Sequence, residues 1–132
     1  MSQSSLLLQK AGRALRAAER LLITGDADFA ASRTYYAYFY TAQALLLTQG
    51  LRFSRHGQVV AQYGRCFGRS KHLEPGFHRL LMRAFKIREV ADYQVEVPVD
   101  PEEVEELLQE GRRFLEAASR YLQQFPPSEE DS

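Results

Sequence analysis

The chain has 132 residues, of which 45% are hydrophobic and 26% are charged, and this length and composition fit a single globular domain. No uninterrupted apolar run approaches the about 20 residues that a membrane-spanning helix needs, and the N-terminus lacks the basic region of a secretory signal. A single cysteine, Cys66, excludes an internal disulfide, so we expect a soluble protein of the cytoplasm.

The formal net charge of zero hides a strong asymmetry along the chain. Residues 1–95 hold 14 Lys/Arg and 6 Asp/Glu, a formal +8, whereas residues 96–132 hold 3 and 11, a formal −8. Within residues 52–88 there are nine basic side chains and one acidic side chain, Glu74. The middle of the chain therefore either faces an anionic partner or is neutralised by the acidic end within the same fold, and the sequence leaves both open.

The first two helices are predicted from apolar residues that recur at helical spacing. One apolar stripe over residues 4–24 predicts the first helix, and Gly25 fits its left-handed cap. Asp26 or Asp28 then starts a second helix that continues to about Gln49 and ends at Gly50. Helix capping explains these two carboxylates better than metal binding, and we predict neither a metal nor a cofactor. The expected apolar stripe of the second helix includes Phe29, Ser32, Tyr36, Phe39, Tyr40 and Leu46.

Three further helices follow in the second half of the chain. Ser54 is the predicted N-cap of a short third helix, and Pro75 is the predicted start of a fourth helix that reaches about Ala91. The fourth helix should bury Phe77, Leu80, Leu81, Ala84, Phe85 and Ile87. Residues 93–99 are expected to form an extended connector. The run Asp100-Pro101-Glu102-Glu103 then provides a cap, a first-turn proline and a glutamate at the third position, which is typical of a helix start.

Together these elements predict an all-α protein, a five-helix antiparallel up-and-down bundle with short loops. We expect one domain over residues 1–125. Pro126-Pro127 should end the fifth helix, and residues 126–132 should form a disordered acidic tail.

An aromatic segment in the second helix is the first candidate for function. Five of the six side chains from Tyr35 to Tyr40 are aromatic. Because they go round the helix, we expect one or two to face away from the core and to stack on bases or on a partner helix. The alternative, that the tyrosines are wedged between helices, stays open. Arg33 beside them is a candidate phosphate ligand or surface ion-pair partner.

The end of the fourth helix carries a second candidate. Arg88 and Asp92 are four residues apart and therefore share one helix face. This spacing predicts either an ordinary ion pair or an arginine that a carboxylate holds toward a phosphate. His72 and His78, near the start of the fourth helix, are expected to be solvated surface histidines.

Three elements in chain order now resemble a known family. They are Ser32-Arg33-Thr34-Tyr35-Tyr36-Ala37-Tyr38-Phe39, then Arg55-His56-Gly57, then Arg88 through Asp92-Tyr93. Over roughly residues 5–122 the chain resembles the HEPN superfamily, in an Arg…Asp-Tyr variant. The resemblance implies a small helical subunit paired with a minimal nucleotidyltransferase in a two-gene, toxin–antitoxin-like system. It also implies a homodimer with a basic interface groove, lined by both copies of the fourth helix, that binds RNA or nucleotide.

Many HEPN proteins are metal-independent endoribonucleases, and the resemblance extends to part of their motif. That motif has an arginine, a polar residue, and a histidine four to six residues after the arginine. Arg88 matches the arginine and Glu89 loosely matches the polar residue, but Asp92-Tyr93 stands where the histidine is expected. If the chain cleaves RNA, Arg88 would stabilise the phosphorane, Asp92 would orient Arg88, and Tyr93 or His56 would move the proton.

Binding of RNA or nucleotide would involve the basic and aromatic residues of the same elements. The expected ligand-binding residues are Arg33, Tyr36, Arg55 and Arg88. The missing motif histidine favours the alternative function, a non-catalytic interaction or substrate-binding module for the partner nucleotidyltransferase.

Overall fold

The structure, a computed structural model, describes residues 2–127, and these residues form five α-helices without a strand. The all-α prediction with five helices is therefore confirmed. Residues 128–132 of the predicted acidic tail lie outside the described residues. None of the helices within residues 2–127 is both long enough and apolar enough to cross a bilayer. The helices are α1 (Gln3–Ile23), α2 (Ala27–Leu47), α3 (His56–Phe67), α4 (Gly76–Tyr93) and α5 (Pro101–Gln124).

Most helix ends follow the local signals in the sequence. Gly25 and Gly50 adopt φ of 89° and 72°, the left-handed region that glycine enters at little cost, and they follow α1 and α2 as predicted. At the start of α5, Oδ1 of Asp100 accepts a hydrogen bond from the Glu102 backbone N–H at 3.0 Å. Pro101 occupies the first turn, so the predicted start of α5 is confirmed.

Other predicted boundaries are wrong by a few residues. The N-cap of α3 is Arg55 and not Ser54, and α4 begins after Pro75 and continues to Tyr93, two residues beyond the predicted end. Asp26 occupies the N-cap position of α2, but its side chain makes no capping hydrogen bond. These starts lack a side-chain acceptor for the first N–H groups, so the local sequence specifies them weakly.

The helix α2 is the central element of the bundle, because it packs against each of the other four helices. Its small and aromatic residues are consequently buried on nearly all sides. The predicted single apolar stripe is therefore too narrow, and one of its members is wrong. Phe29 lies near the N-terminus of α2 with 62% of its surface exposed.

Specific contacts fix the directions of the helices. Ser4 Oγ donates to the Ala44 carbonyl at 3.0 Å, which joins the start of α1 to the end of α2. Arg83 of α4 pairs with Glu103 at the start of α5 at 3.1 Å, and Glu74 before α4 pairs with Arg113 farther along α5 at 2.8 Å. Each of these pairs of helices is therefore antiparallel. Gly111 allows α5 to approach closely, since a Cβ there would lie 3.2 Å from a side-chain atom of Leu15 and of Tyr38.

An aromatic cluster fills the core where α2, α3, α4 and α5 meet. The Phe114 ring lies 5.7 Å from Tyr38, 5.4 Å from Tyr63 and 4.9 Å from Phe77, measured between ring centroids. All four side chains are buried. Their packing fixes α4 against α2 and so positions the polar residues at the far end of α4.

Candidate functional site

Arg88 is the centre of a group of polar and aromatic side chains on α2, α3 and α4. Its guanidinium carbon lies 5.7 Å from the centre of the Tyr35 ring, 5.6 Å from that of Tyr36 and 5.9 Å from that of Tyr93. Its Nη2 donates a long hydrogen bond of 3.4 Å to the Tyr36 hydroxyl. We call the whole group the Arg88 cluster; it consists of Tyr35, Tyr36, His56, Arg88, Asp92 and Tyr93.

Asp92 orients the Arg88 guanidinium. Its Oδ2 lies 2.7 Å from Arg88 Nε, in an i,i+4 ion pair whose side chains are 15% exposed for Arg88 and 30% exposed for Asp92. This pair occupies the buried Nε, whereas Nη1 makes no hydrogen bond within residues 2–127 and is not among the buried atoms. The guanidinium therefore carries a fixed orientation and spare hydrogen-bond donors, which is the requirement for binding an anion.

The fold brings His56 into the same cluster. Its Nδ1 lies 2.6 Å from the Tyr35 hydroxyl, and its ring stacks on Phe39 with 4.5 Å between centroids. Partial burial, and then the positive charge of Arg88, lower the pKa of His56 below its ordinary value. His56 is therefore a neutral imidazole near pH 7, and it lies close enough to Arg88 for the positive charge of Arg88 to affect its pKa.

Tyr35 lies between His56 and Arg88 and contacts both of them. It was not among the site residues predicted from the sequence. Its side chain is fully buried. Burial raises the pKa of Tyr35 far above its ordinary value, so its hydroxyl stays protonated. The ligand residue predicted among the aromatic side chains of α2 is Tyr36 and not Tyr35. The spacing along α2 could not reveal which of the two neighbours faces α3.

The two other predicted basic ligands differ in position. The Arg33 guanidinium lies 5.2 Å from the centre of the Tyr36 ring and is exposed, so it extends the cluster along α2. Arg55 directly precedes His56, but its side chain is exposed and makes no hydrogen bond or ion pair within the described part of the chain. The structure therefore places Arg33 at the cluster and leaves Arg55 beside it without a contact.

The expectation that one or two of the aromatic side chains from Tyr35 to Tyr40 face away from the core is wrong. Tyr35, Tyr38 and Phe39 are buried, and Tyr36 and Tyr40 are half-buried. The Tyr38 hydroxyl donates to the Leu107 carbonyl of α5 at 2.8 Å. The central position of α2 explains the difference, because its four neighbouring helices cover most of the surface of this aromatic segment.

The acidic helix α5 neutralises little of the basic segment 52–88. Arg83 pairs with Glu103 at 3.1 Å and approaches Glu106 at 3.7 Å, and Arg88 pairs with Asp92 of its own helix. Within residues 2–127, the other seven of the nine basic side chains are exposed and have no carboxylate partner. They are Arg52, Arg55, Arg65, Arg69, Lys71, Arg79 and Lys86. Most of the positive charge therefore remains available to an anionic partner.

The other two histidines lie away from the Arg88 cluster. His72 is exposed as predicted, and its ring lies 4.8 Å from Phe125. His78 is half-buried and lies 6.2 Å from the Tyr63 ring, so the prediction of a solvated side chain is wrong for it. Its imidazole occupies the space where a Cβ on Gly64 would stand. That glycine allows α3 and α4 to approach each other.

Comparison with known proteins agrees with this arrangement of helices. The HEPN domain matches residues 4–122. The chain is 34% identical to the putative toxin MJ0142 of Methanocaldococcus jannaschii over 116 residues, which cover 88% of this chain and 79% of that protein. It is 31% identical to the putative toxin MJ0605 of the same organism over 96 residues, covering 73% and 71%. A UPF0332 protein of Thermotoga maritima is 31% identical over 115 residues, covering 87% of each. The chain therefore belongs to the HEPN family.

Proposed function

We propose that this chain is the HEPN subunit of a two-gene, toxin–antitoxin-like system with a nucleotidyltransferase, and that it binds RNA or a nucleotide at the Arg88 cluster. The observation that carries the proposal is the state of Arg88. Its guanidinium is oriented by Asp92 at 2.7 Å and retains Nη1 as a donor without an acceptor within residues 2–127. A phosphate group matches such donors in both charge and geometry.

The charge distribution and the relatives support the same proposal. Seven exposed cations of the segment 52–88 have no carboxylate partner within residues 2–127; one of them, Arg55, directly precedes His56 of the cluster, and Arg33 extends the cluster on α2. Such cations strengthen the binding of a polyanion and make it depend on salt. Two relatives carry names that describe them as putative toxins, which fits a subunit of a toxin–antitoxin-like pair.

The proposal includes a homodimer in which α4 lines the interface groove. Residues 79, 82, 86, 89 and 93 follow one face of α4 at helical spacing, and all five are exposed in the single chain. On this face, 42% of the surface of Met82 and 72% of that of Tyr93 are exposed. A second copy of α4 would cover the apolar parts of the face and leave Arg79 and Lys86 at the edges of the groove.

Endoribonuclease activity is the sharper form of this proposal. In metal-independent cleavage the ribose 2′-oxygen attacks phosphorus, the bond to the 5′-oxygen breaks, one base takes the 2′ proton and one acid protonates the leaving oxygen. Arg88 would stabilise the negative charge of the phosphorane, with Asp92 orienting it. Tyr93 and His56 are the two candidates for proton transfer, and the fold brings both into the Arg88 cluster.

The test of function is incubation of the purified protein with total cellular RNA in the absence of metal. The Arg88→Ala variant removes the proposed phosphate ligand. Arg120→Ala is the matched control, because Arg120 also forms an i,i+4 ion pair, with Glu116 at 2.7 Å, far from the cluster on α5. We expect cleavage or RNA binding by wild type and Arg120→Ala, and in Arg88→Ala we expect loss of cleavage and clearly weaker RNA binding. Full activity of a folded Arg88→Ala protein would refute the proposed site.

A non-catalytic module for the nucleotidyltransferase is the second candidate function. It is favoured by Asp92-Tyr93, which stands where endoribonucleases of the family carry a histidine. Tyr93 is 72% exposed at the end of α4, and its hydroxyl oxygen would be an accessible acceptor that attacks the α-phosphorus of ATP, loses its proton to solvent and releases pyrophosphate. Toxicity of the chain expressed alone would favour the nuclease. An unchanged mass after incubation with the transferase and ATP would count against modification of Tyr93.

A further inference from the structure

The contact between Tyr35 and His56 determines which nitrogen of His56 carries the proton. The Tyr35 oxygen and His56 Nδ1 are 2.6 Å apart, so there is room for a single proton between them. Either the phenol donates to a bare Nδ1, or an Nδ1–H donates to the phenol oxygen. The first arrangement places the imidazole proton on Nε2, and the second places it on Nδ1.

The surroundings of Tyr35 favour the first arrangement. Its side chain is fully buried, and within residues 2–127 its hydroxyl has no hydrogen-bond partner other than His56. If Nδ1–H were the donor, the phenol proton would be buried without an acceptor, at a cost of about 1–3 kcal/mol. Burial also keeps the phenol protonated by raising the pKa of Tyr35, so a phenolate cannot serve as the acceptor.

We propose that Tyr35 is a positioning residue that holds His56 as the Nε2–H tautomer, so that His56 offers a hydrogen-bond donor, and not a base, to an anion bound by Arg88. The Nε2 atom has no hydrogen-bond partner within the described residues and is not buried, so it is available to a ligand. The identity of this ligand as RNA or nucleotide phosphate rests on the proposed function; the tautomer does not.

Two consequences follow for the chemistry of the cluster. Arg88 and His56 would together bind a phosphate through one charged and one neutral donor, and the neutral donor keeps its proton throughout the physiological pH range. The 2′ proton of an RNA substrate could not pass to Nε2, which already carries a proton. In a nuclease of this geometry another group would therefore accept that proton, and His56 would act in binding.

The tautomer is measured directly by long-range ¹H–¹⁵N correlation spectra of the intact protein labelled with ¹⁵N-histidine, recorded at neutral pH. We expect a lone-pair Nδ1 and a protonated Nε2 for His56, with no detectable population of the other tautomer. His72 and His78 provide references in the same spectrum, because neither contacts Tyr35. A protonated Nδ1, or a positively charged ring at neutral pH, would overturn the proposal.

Two tyrosine-to-phenylalanine variants separate the positioning role from general packing. Tyr35→Phe removes only the hydroxyl, and we expect a mixture of both His56 tautomers and a shift of the Nδ1 resonance toward that of an unbonded lone pair. Tyr38→Phe is the matched control. It removes an equally buried hydroxyl of α2 that donates to Leu107 at 2.8 Å, and the His56 signals should stay unchanged. His56 signals that are identical in Tyr35→Phe and wild type would refute a positioning role.

The ligand is tested by adding a single-stranded RNA oligonucleotide to the labelled protein. We expect the His56 Nε2–H signal to shift while the side-chain signals of His72 and His78 stay in place. Failure of this shift with the tautomer as predicted would refute His56 as a ligand donor and count against the proposed function. Normal RNA binding by a protein with protonated Nδ1 would refute the role of Tyr35 and leave the proposed function intact.

Discussion

Substitution of Arg88 by alanine is the perturbation that most directly tests the proposed site. The side chain is 15% exposed, and it links α4 to α2 through its contacts with Tyr35 and Tyr36. Alanine removes the charge and all five N–H donors while leaving a good helix former in α4. The variant should therefore stay folded and lose mainly its affinity for an anion.

The expected loss of affinity can be worked out from the hydrogen bonds. Hydrogen bonds to a charged group are worth about 1.5–3 kcal/mol, so the Kd for single-stranded RNA should rise roughly 10- to 150-fold. One lost phosphate contact should also reduce the steepness of log K against log salt by about 0.7 on a single strand. Fluorescence anisotropy with a labelled RNA over a series of salt concentrations measures both quantities.

The effect on folding should be much smaller than the effect on binding. The Arg88–Asp92 pair is partly screened by solvent and is worth about 0.5 kcal/mol, and the ring contacts add about 1 kcal/mol. We therefore expect the free energy of unfolding to fall by about 1–2 kcal/mol in urea titrations followed by circular dichroism. Asp92 stays 30% exposed and can be solvated by water once its partner is removed.

The control variant Arg120→Ala decides whether a change in affinity belongs to the site. Arg120 contributes the same formal charge and the same kind of ion pair, but both side chains of its pair with Glu116 are largely exposed on α5. It should bind RNA like wild type apart from a weak long-range effect at low salt. Equal losses of affinity in the two variants would show that net charge, and not the Arg88 cluster, determines binding.

Three further predictions concern the fold. Phe114→Ala removes the ring at the centre of the aromatic core and should lower the free energy of unfolding by about 3–5 kcal/mol in urea; a loss below about 1 kcal/mol would contradict the packing. Asp100→Ala should cost about 1 kcal/mol through the lost cap of α5, and Asp100→Asn, which keeps an acceptor, should cost clearly less in the same titration. Burial raises the pKa of each of three tyrosines above the ordinary value of about 10, so the unfolded chain loses these protons first and stability should fall as the pH rises past about 10. Tyrosinate absorbance that accounts for all seven tyrosines before any loss of helix would contradict the burial of Tyr35, Tyr38 and Tyr63.

The sequence by itself determined the number and class of the helices, because the signals for them are local. Apolar residues at helical spacing, left-handed glycines at Gly25 and Gly50, and the cap at Asp100 each act within a few residues of the chain. The Arg88–Asp92 contact was predictable for the same reason, since residues four apart meet on any helix. Family membership also followed from short elements whose order along the chain is visible without a structure.

Only the tertiary structure decided which faces are buried and which distant residues meet. Phe29 is an apolar residue of a kind common in protein cores, but it lies exposed near the N-terminus of α2. Tyr36 is only half-buried, whereas its neighbour Tyr35 is fully buried. Tyr35 and His56, which are in contact, are 21 residues apart in the sequence, and Tyr36 and Arg88 are 52 residues apart. Such contacts depend on how α2, α3 and α4 pack together. That packing is a collective result of the whole core, so no local pattern in the sequence specifies it.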